Sequence, residues 1–97
     1  MPAYVVAFVA VSEEARYAQE YVPPVLELVH RYGGRLLCAA DTVRSKEGTW
    51  PKGRTVIIEF PDMETAEAWY NSAEYRPLLE LRGKFAESVL ALVPGAR

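Results

Sequence analysis

The segment Tyr4–Val11 is apolar in both of the alternating sets of side chains that a β-strand directs to its two faces. The segment Val89–Val93 repeats this pattern near the end of the chain. A strand with one face in water alternates apolar with polar residues, whereas a continuous apolar run indicates burial on both sides. A sheet built from these strands therefore needs a cover on each face.

The remaining pattern predicts a mixed order of strands and helices. We expect strands over about 3–11, 35–40, 54–60 and 88–93, and helices from a Ser12 N-cap to about residue 32, over 63–70 and over 73–85. Asp62 and Asn71 are the predicted caps of the second and third helices. The polar stretch 41–48 is expected to hold a short ribbon or edge segment.

The first predicted helix has an apolar stripe and an internal break. Apolar residues recur at spacings of three and four from Ala18 to Tyr32. Pro23 and Pro24 interrupt the hydrogen-bond ladder, so we expect a kink or a restart of the helix there. One glycine of Gly33-Gly34 is predicted to supply the left-handed cap at the end.

This order predicts an α+β, ferredoxin-like βαββαβ fold with an extra short helix before the last strand. Residues 1–97 are expected to form one domain. Right-handed crossovers place the long helices on the same face of an antiparallel four-stranded sheet and leave the other face bare.

The bare face is expected to pair with a second copy of the chain. Four strands about 4.8 Å apart and about 18 Å long present roughly 350 Å² in plan. Pairing two such faces hides about 700 Å², a gross gain of about 17 kcal/mol at ~25 cal/mol/Å². Association costs about 4–15 kcal/mol. The balance predicts a homodimer, with two-fold symmetry as the default.

Composition and missing motifs exclude several classes of function. A net charge of -2 argues against nucleic acid as the main partner. The sequence has neither an apolar run long enough for a membrane helix nor a signal peptide, so we expect a cytoplasmic protein without membrane contact. The single Cys38 lies in an apolar stretch and is expected to be an inert thiol. Because nucleotide, haem and metal motifs are missing, we expect no cofactor.

Five short segments carry a resemblance that covers nearly the whole chain. The chain resembles the bacterial domain-of-unknown-function family 1330, within the dimeric α/β-barrel superfamily. The matching residues are Met1–Tyr4, Tyr32–Arg35, Glu47–Pro51, Arg54 with Glu59–Pro61, and Ala68–Ser72 with Glu74-Tyr75. The resemblance implies a ferredoxin-like fold whose two sheets meet in a homodimer, but no activity. Where family members often carry a basic residue and glycines, this chain has Ala39-Ala40-Asp41.

Two classes of function remain open. The first is a protein that binds a small apolar or carboxylate-bearing molecule in a pocket between sheet and helices. The second is a cofactor-independent enzyme of the isomerase, decarboxylase or monooxygenase type, acting on a small organic acid. An RNA-binding module with the same strand order is disfavoured, since the third strand lacks its stacking motif.

Two residues are candidates for proton transfer in the enzymatic alternative. Glu59 is the one charged residue within the apolar part of the third strand, and a desolvated carboxylate there can act as a proton shuttle. The alternative for Glu59 is a rim residue paired with an arginine. His30 is the only histidine, and its alternative role is an exposed helical residue that binds no metal.

Five residues are candidates for ligand binding. Arg54 and Trp50 are expected to lie close together, where an arginine beside an aromatic ring suits a planar carboxylate. Trp69 and Tyr75 are candidates for an aromatic pocket wall, with core or dimer packing as the alternative. Arg82 is a candidate for the barrel mouth, with a solvated, ion-paired helix face as the alternative.

Overall fold

Four antiparallel strands form one sheet in the computed structural model, which describes residues 1–96. The strands are β1 Ala3–Val11, β2 Arg35–Ala40, β3 Arg54–Phe60 and β4 Ala86–Pro94. Their spatial order is β2-β3-β1-β4, and each neighbouring pair is antiparallel. This order confirms the predicted ferredoxin-like arrangement.

The alternation of β1 divides the sheet into a helix-facing side and an open side. The helix-facing residues Ala3, Val5, Ala7 and Val9 are at most 3% exposed and belong to the core. Their neighbours Tyr4, Val6 and Phe8 point to the open side and are only partly buried. The strand therefore has apolar side chains on both faces, as the sequence predicts.

Three segments form the first helical stretch, because two prolines interrupt it. These are α1 Glu14–Arg16, a π-helical turn Tyr17–Tyr21, and α2 Val22–Arg31. Pro23 and Pro24 have no N–H to donate to the carbonyls one α-helical turn earlier. The Val22 N–H instead donates to the carbonyl of Tyr17, which closes the wider turn. The predicted restart is confirmed at this position.

The start of the first helix differs from the prediction. Glu13, not Ser12, is the N-cap residue, and its side chain makes no capping bond. The Ser12 hydroxyl instead donates to the carbonyl of Phe85 at 2.9 Å. Ser12 therefore ties the end of β1 to the end of a helix that lies more than seventy residues later, a long-range contact that local sequence does not encode.

The later helices are α3 Met63–Asn71 and α4 Tyr75–Phe85. The predicted cap of α3 is confirmed, since Asp62 Oδ1 accepts from the Thr65 N–H at 2.7 Å. The predicted Asn71 cap of the next helix is wrong, because Asn71 is the last residue of α3. Ser72 Oγ accepts from the Tyr75 N–H instead, at 3.2 Å.

Two turns position the strands around the site. Gly33 has φ of 79° and follows α2, which confirms the predicted left-handed glycine. Residues 41–53 contain no strand, so the predicted ribbon over 41–48 is wrong. Gly53 ends this segment with φ of 100°, close against the backbone of β1.

We expect Gly53→Ala to lower the free energy of unfolding by about 1–3 kcal/mol, the usual cost of a strained backbone position. A Cβ at this position would lie 2.7 Å from the carbonyl carbon of Val9. The control is Gly83→Ala on α4, where nothing lies within 4 Å of the added Cβ. It should raise stability by about 1 kcal/mol, since alanine favours helix. Chemical denaturation measures both, and an unchanged stability of Gly53→Ala would contradict the structure.

Candidate functional site

A cavity of about 100 Å³ lies between the helix-facing side of the sheet and the helices. Its floor is formed by residues of β1, β3 and β4: Val5, Ala7, Val9, Val56, Ile58 and Leu90. The wall opposite is formed by helical residues: Tyr17, Tyr21, Val25, Leu26, Trp69 and Tyr75. The cavity is therefore apolar over most of its surface and sits inside the main core.

Stacked aromatic rings form the wall of the cavity on the side of α3 and α4. The ring centroids of Trp69 and Tyr75 are 4.5 Å apart, and those of Phe60 and Trp69 are 5.3 Å apart. All three side chains are at most 1% exposed. Aromatic pairs at such separations stabilise each other beyond simple burial. The wall is thus held in place before any ligand enters.

A chain of three polar groups marks one end of the cavity. Arg82 Nη1 donates to the Tyr75 hydroxyl at 3.2 Å, and the Tyr75 and Tyr21 hydroxyls lie 3.4 Å apart. Burial raises the pKa of both tyrosines, and it raises that of Tyr21 well above the ordinary value. Both hydroxyls therefore remain protonated at neutral pH and act as hydrogen-bond donors rather than as bases.

Arg82 is a buried cation with a neutral partner. The residue is 9% exposed. Among residues 1–96, no carboxylate lies within ion-pair distance of its guanidinium. Burying a charge without a counterion costs free energy that a negatively charged partner would recover. This burial does not fit the alternative of a solvated, ion-paired helix face for Arg82.

Arg54 also lines the cavity and is already neutralised. Its guanidinium contacts Asp41 at 2.8 Å and Glu14 at 2.6 Å. It also lies 5.7 Å from the ring centroid of Tyr17. The hydrogen bonds that Arg54 donates to Asp41 and Glu14 raise the pKa of Arg54. Both carboxylates are largely exposed, so this triad closes the cavity where it approaches the surface.

The indole N–H of Trp69 is a further polar group in the wall. Within the described chain, Trp69 Nε1 and Ser88 Oγ are the buried side-chain polar atoms without a hydrogen-bond partner. Nearly all buried polar groups in proteins are hydrogen-bonded, and each exception calls for an explanation. Of these two residues, only Trp69 lines the cavity.

Four of the five ligand-binding candidates meet at this cavity, namely Arg54, Trp69, Tyr75 and Arg82. Trp50 does not, because it lies on the open side of the sheet. Its ring packs edge-on against Phe8 at 5.8 Å, and its Nε1 donates to Thr55 Oγ1 at 3.3 Å. The expected pairing of Trp50 with Arg54 is therefore wrong, since the sheet separates the two side chains.

The two candidates for proton transfer lie outside the cavity lining. Glu59 accepts from Arg35 Nε at 2.9 Å and from the Tyr4 hydroxyl at 3.4 Å, on the open side near the end of β3. This geometry matches the alternative of a rim residue paired with an arginine. His30 is exposed on α2, which matches its alternative as a surface residue.

Sequence reasoning missed the roles of Tyr17 and Tyr21 in the site. Both are at most 6% exposed, and their ring centroids lie 5.1 Å apart in the π-helical turn. The spacing of four from Tyr17 to Tyr21 and on to Val25 was the signal that could have revealed them.

Residues 1–96 contain no group of three or more histidine, cysteine, aspartate or glutamate side chains arranged to hold a metal ion. None of the helices described is both long and apolar enough to span a bilayer.

The family model called Domain of unknown function (DUF1330) matches residues 2–96. No curated protein matches the chain significantly. Among solved structures, the chain is similar to a protein of unknown function from Rhodopseudomonas palustris, with a TM-score of 0.75 and 16% identity. That match covers 99% of this chain and 83% of the other.

Two further solved structures share the fold at the same low identity. A conserved protein of unknown function from Bacteroides thetaiotaomicron, described as a possible oxidoreductase, has a TM-score of 0.63, 16% identity and 97% coverage of each chain. An antibiotic biosynthesis monooxygenase has a TM-score of 0.57, 16% identity and 100% coverage of each chain. These similarities show the monooxygenase-like α/β fold alone.

We expect the buried Tyr21 hydroxyl to remain protonated for as long as the protein is folded. Because folding raises its pKa, its contribution to stability is complete below about pH 10 and declines above it. Tyr21→Phe should therefore show the same phenolate absorbance as the wild type up to the pH at which the wild type unfolds. If the wild type shows a step in phenolate absorbance below that pH and Tyr21→Phe lacks it, then Tyr21 ionises in the folded state.

Proposed function

The chain belongs to the DUF1330 family, and from this premise we propose that it binds a small apolar or carboxylate-bearing molecule in the cavity between sheet and helices. The single observation that carries this proposal is the buried Arg82, without a carboxylate partner in the described chain, in a cavity that is apolar over most of its surface. Binding sites of this kind combine an apolar lining with a few convergent polar groups.

The size of the cavity limits the ligand. A dry cavity of about 150 Å³ in an unrelated protein accommodates benzene. The cavity of about 100 Å³ in this protein is smaller, so one ring or a short branched chain is the upper limit for its ligand. A larger ligand would require the aromatic wall or Arg54 and its two carboxylates to move.

The lining favours binding over turnover. Within the described residues, no aspartate, glutamate, histidine or cysteine lines the cavity. The tyrosines there are poor bases, because burial raises the pKa of Tyr17, Tyr21 and Tyr75. The enzymatic alternative needs a group that moves a proton, and its candidates Glu59 and His30 lie elsewhere. The placement of these groups supports a binding protein.

We expect Ala7→Leu to abolish the uptake of a small apolar probe such as benzene. Ala7 is 2% exposed and lies in the cavity floor, so a larger side chain there occupies the space. The control Ala68→Leu, on the exposed surface of α3, should bind as the wild type does. Ligand-observed NMR measures binding. Equal binding by both variants would overturn the assignment of the cavity as the site.

We also propose that the open side of the sheet pairs with a second copy of the chain. This side carries apolar residues from three strands and the loop before β3, among them Val6, Phe8, Val89, Val93 and Trp50. Val89 is 64% exposed and Trp50 is 45% exposed in the single chain. A contiguous apolar surface of this kind is unusual for a monomer.

We expect Val89→Lys to convert a dimeric wild type into a folded monomer. Val89 lies opposite Phe8 on the edge strand β4, so a charge there would be buried without a partner where the two open sides meet. Ala68→Lys on the helix side is the control and should leave the dimer intact. Analytical ultracentrifugation at micromolar protein concentration measures the oligomeric state of each variant. A monomeric wild type would overturn this part of the proposal.

A further inference from the structure

We infer that the ligand is a small organic acid whose oxyanion, a carboxylate or an enolate, lies against Arg82 and accepts further hydrogen bonds from Trp69 and the Tyr21–Tyr75 pair. This inference deepens the proposed function and rests on it. It names the charged end of the ligand and assigns Trp69 a binding role through its N–H.

The cavity offers donors in excess of acceptors. Arg82 has five N–H groups, and one of its nitrogens donates to Tyr75. The Tyr21 and Tyr75 hydroxyls share one hydrogen bond, in which only one of them donates. One hydroxyl hydrogen of the pair therefore remains available, whichever direction the shared bond takes.

Trp69 adds a donor that is fully buried and unpartnered. An indole N–H donates and cannot accept. Trp69 is 1% exposed and lines the same cavity as Arg82, and its Nε1 has no acceptor within the described chain. An oxygen atom of a ligand in the cavity would remove the cost of leaving this group unsatisfied.

The charged groups around the two arginines favour Arg82 over Arg54 as the binding site of the anion. Arg54 already contacts two carboxylates, so an anionic ligand there would meet Asp41 and Glu14 as like charges. Arg82 has a neutral hydroxyl as its hydrogen-bond partner and is more deeply buried. The oxyanion therefore lies against Arg82 rather than Arg54, with the apolar body along the floor of the sheet.

These features select acids over their neutral analogues. A carboxylate accepts through both oxygens and is acceptor-only when ionised. An amide of the same shape brings its own N–H donors towards Arg82 and Trp69, where no acceptor awaits them, and it lacks the charge. Sites built around specific hydrogen bonds discriminate strongly against ligands that leave their groups unpaired.

The test compares benzoate and 3-methylbutanoate with their amides, and uses benzene as a neutral reference for the cavity. Calorimetry or ligand-observed NMR on the wild type should show each acid binding at least about tenfold more tightly than its amide. Arg82→Met should abolish this preference, and Arg82→Lys should restore part of it. Arg31→Met, which removes an exposed arginine of α2 outside the cavity lining, is the matched control and should keep the preference for the acid.

Trp69→Phe separates the role of the indole N–H from that of the ring. The phenyl ring keeps an aromatic wall but has no donor, so affinity for the acids should fall severalfold while benzene binding persists. Circular dichroism confirms that each variant is folded.

The outcomes distinguish this inference from the proposed function. Binding of benzene and of acids and amides with equal affinity would overturn the inference and leave cavity binding intact. Benzene binding without acid binding would do the same. Exclusion of benzene, acids and amides by the folded wild type would overturn the proposed function as well. A preference for acids that survives in Arg82→Met would place the anion elsewhere.

Discussion

A sheet whose strands are apolar on both faces must be covered twice, and this requirement organises the whole molecule. The topology places every helix on one side of the sheet, so the two sides meet different partners. On the helix side, the alternate residues of β1 enter the core and form the floor of the cavity. On the open side, the remaining residues of β1 stay partly exposed and are available to another surface.

The cavity lies between a rigid aromatic wall and the strands of the sheet. Trp69 and Tyr75 pack against each other at a tilt of 40° and line the cavity together with Ala7 and Ala39, its smallest lining residues. Paired aromatic rings are large and fixed in geometry. The polar end follows from the same wall, since Tyr75 also accepts the hydrogen bond from Arg82. Packing and chemistry thus share the same residues.

The fold could be predicted from sequence because its signals are local and repeated. Alternation in the strands, the proline pair in the first helix and the glycine after it each indicate one structure. The predicted apolar face of the first helix is wrong at its first residue, Ala18. The π-helical turn buries Tyr17 and leaves Ala18 exposed. A change of helical register inside an element is not visible in a pattern that assumes one period.

The site was less predictable, because proximity in sequence does not determine the side of a sheet. Trp50 and Arg54 are four residues apart, yet the loop carries the first over the open side while the strand directs the second to the helices. Arg82 has the composition of a surface helix around it, with Lys84 and Glu80 nearby. Its hydrogen-bond partner Tyr75 lies two turns earlier on the same face of α4, but the burial of that face against the rest of the core requires the folded chain.

The π-helical turn also fixes the rotation of α1 about its own axis. Successive residues of an α-helix are turned by roughly 100°, so deleting one residue within 17–21 would swing α1 by about that angle while α2 stayed docked on the sheet. Glu14 would then leave Arg54, and the bridge between the helical stretch and the start of β3 would open. The length of this turn, rather than any single side chain in it, holds the rim of the cavity together.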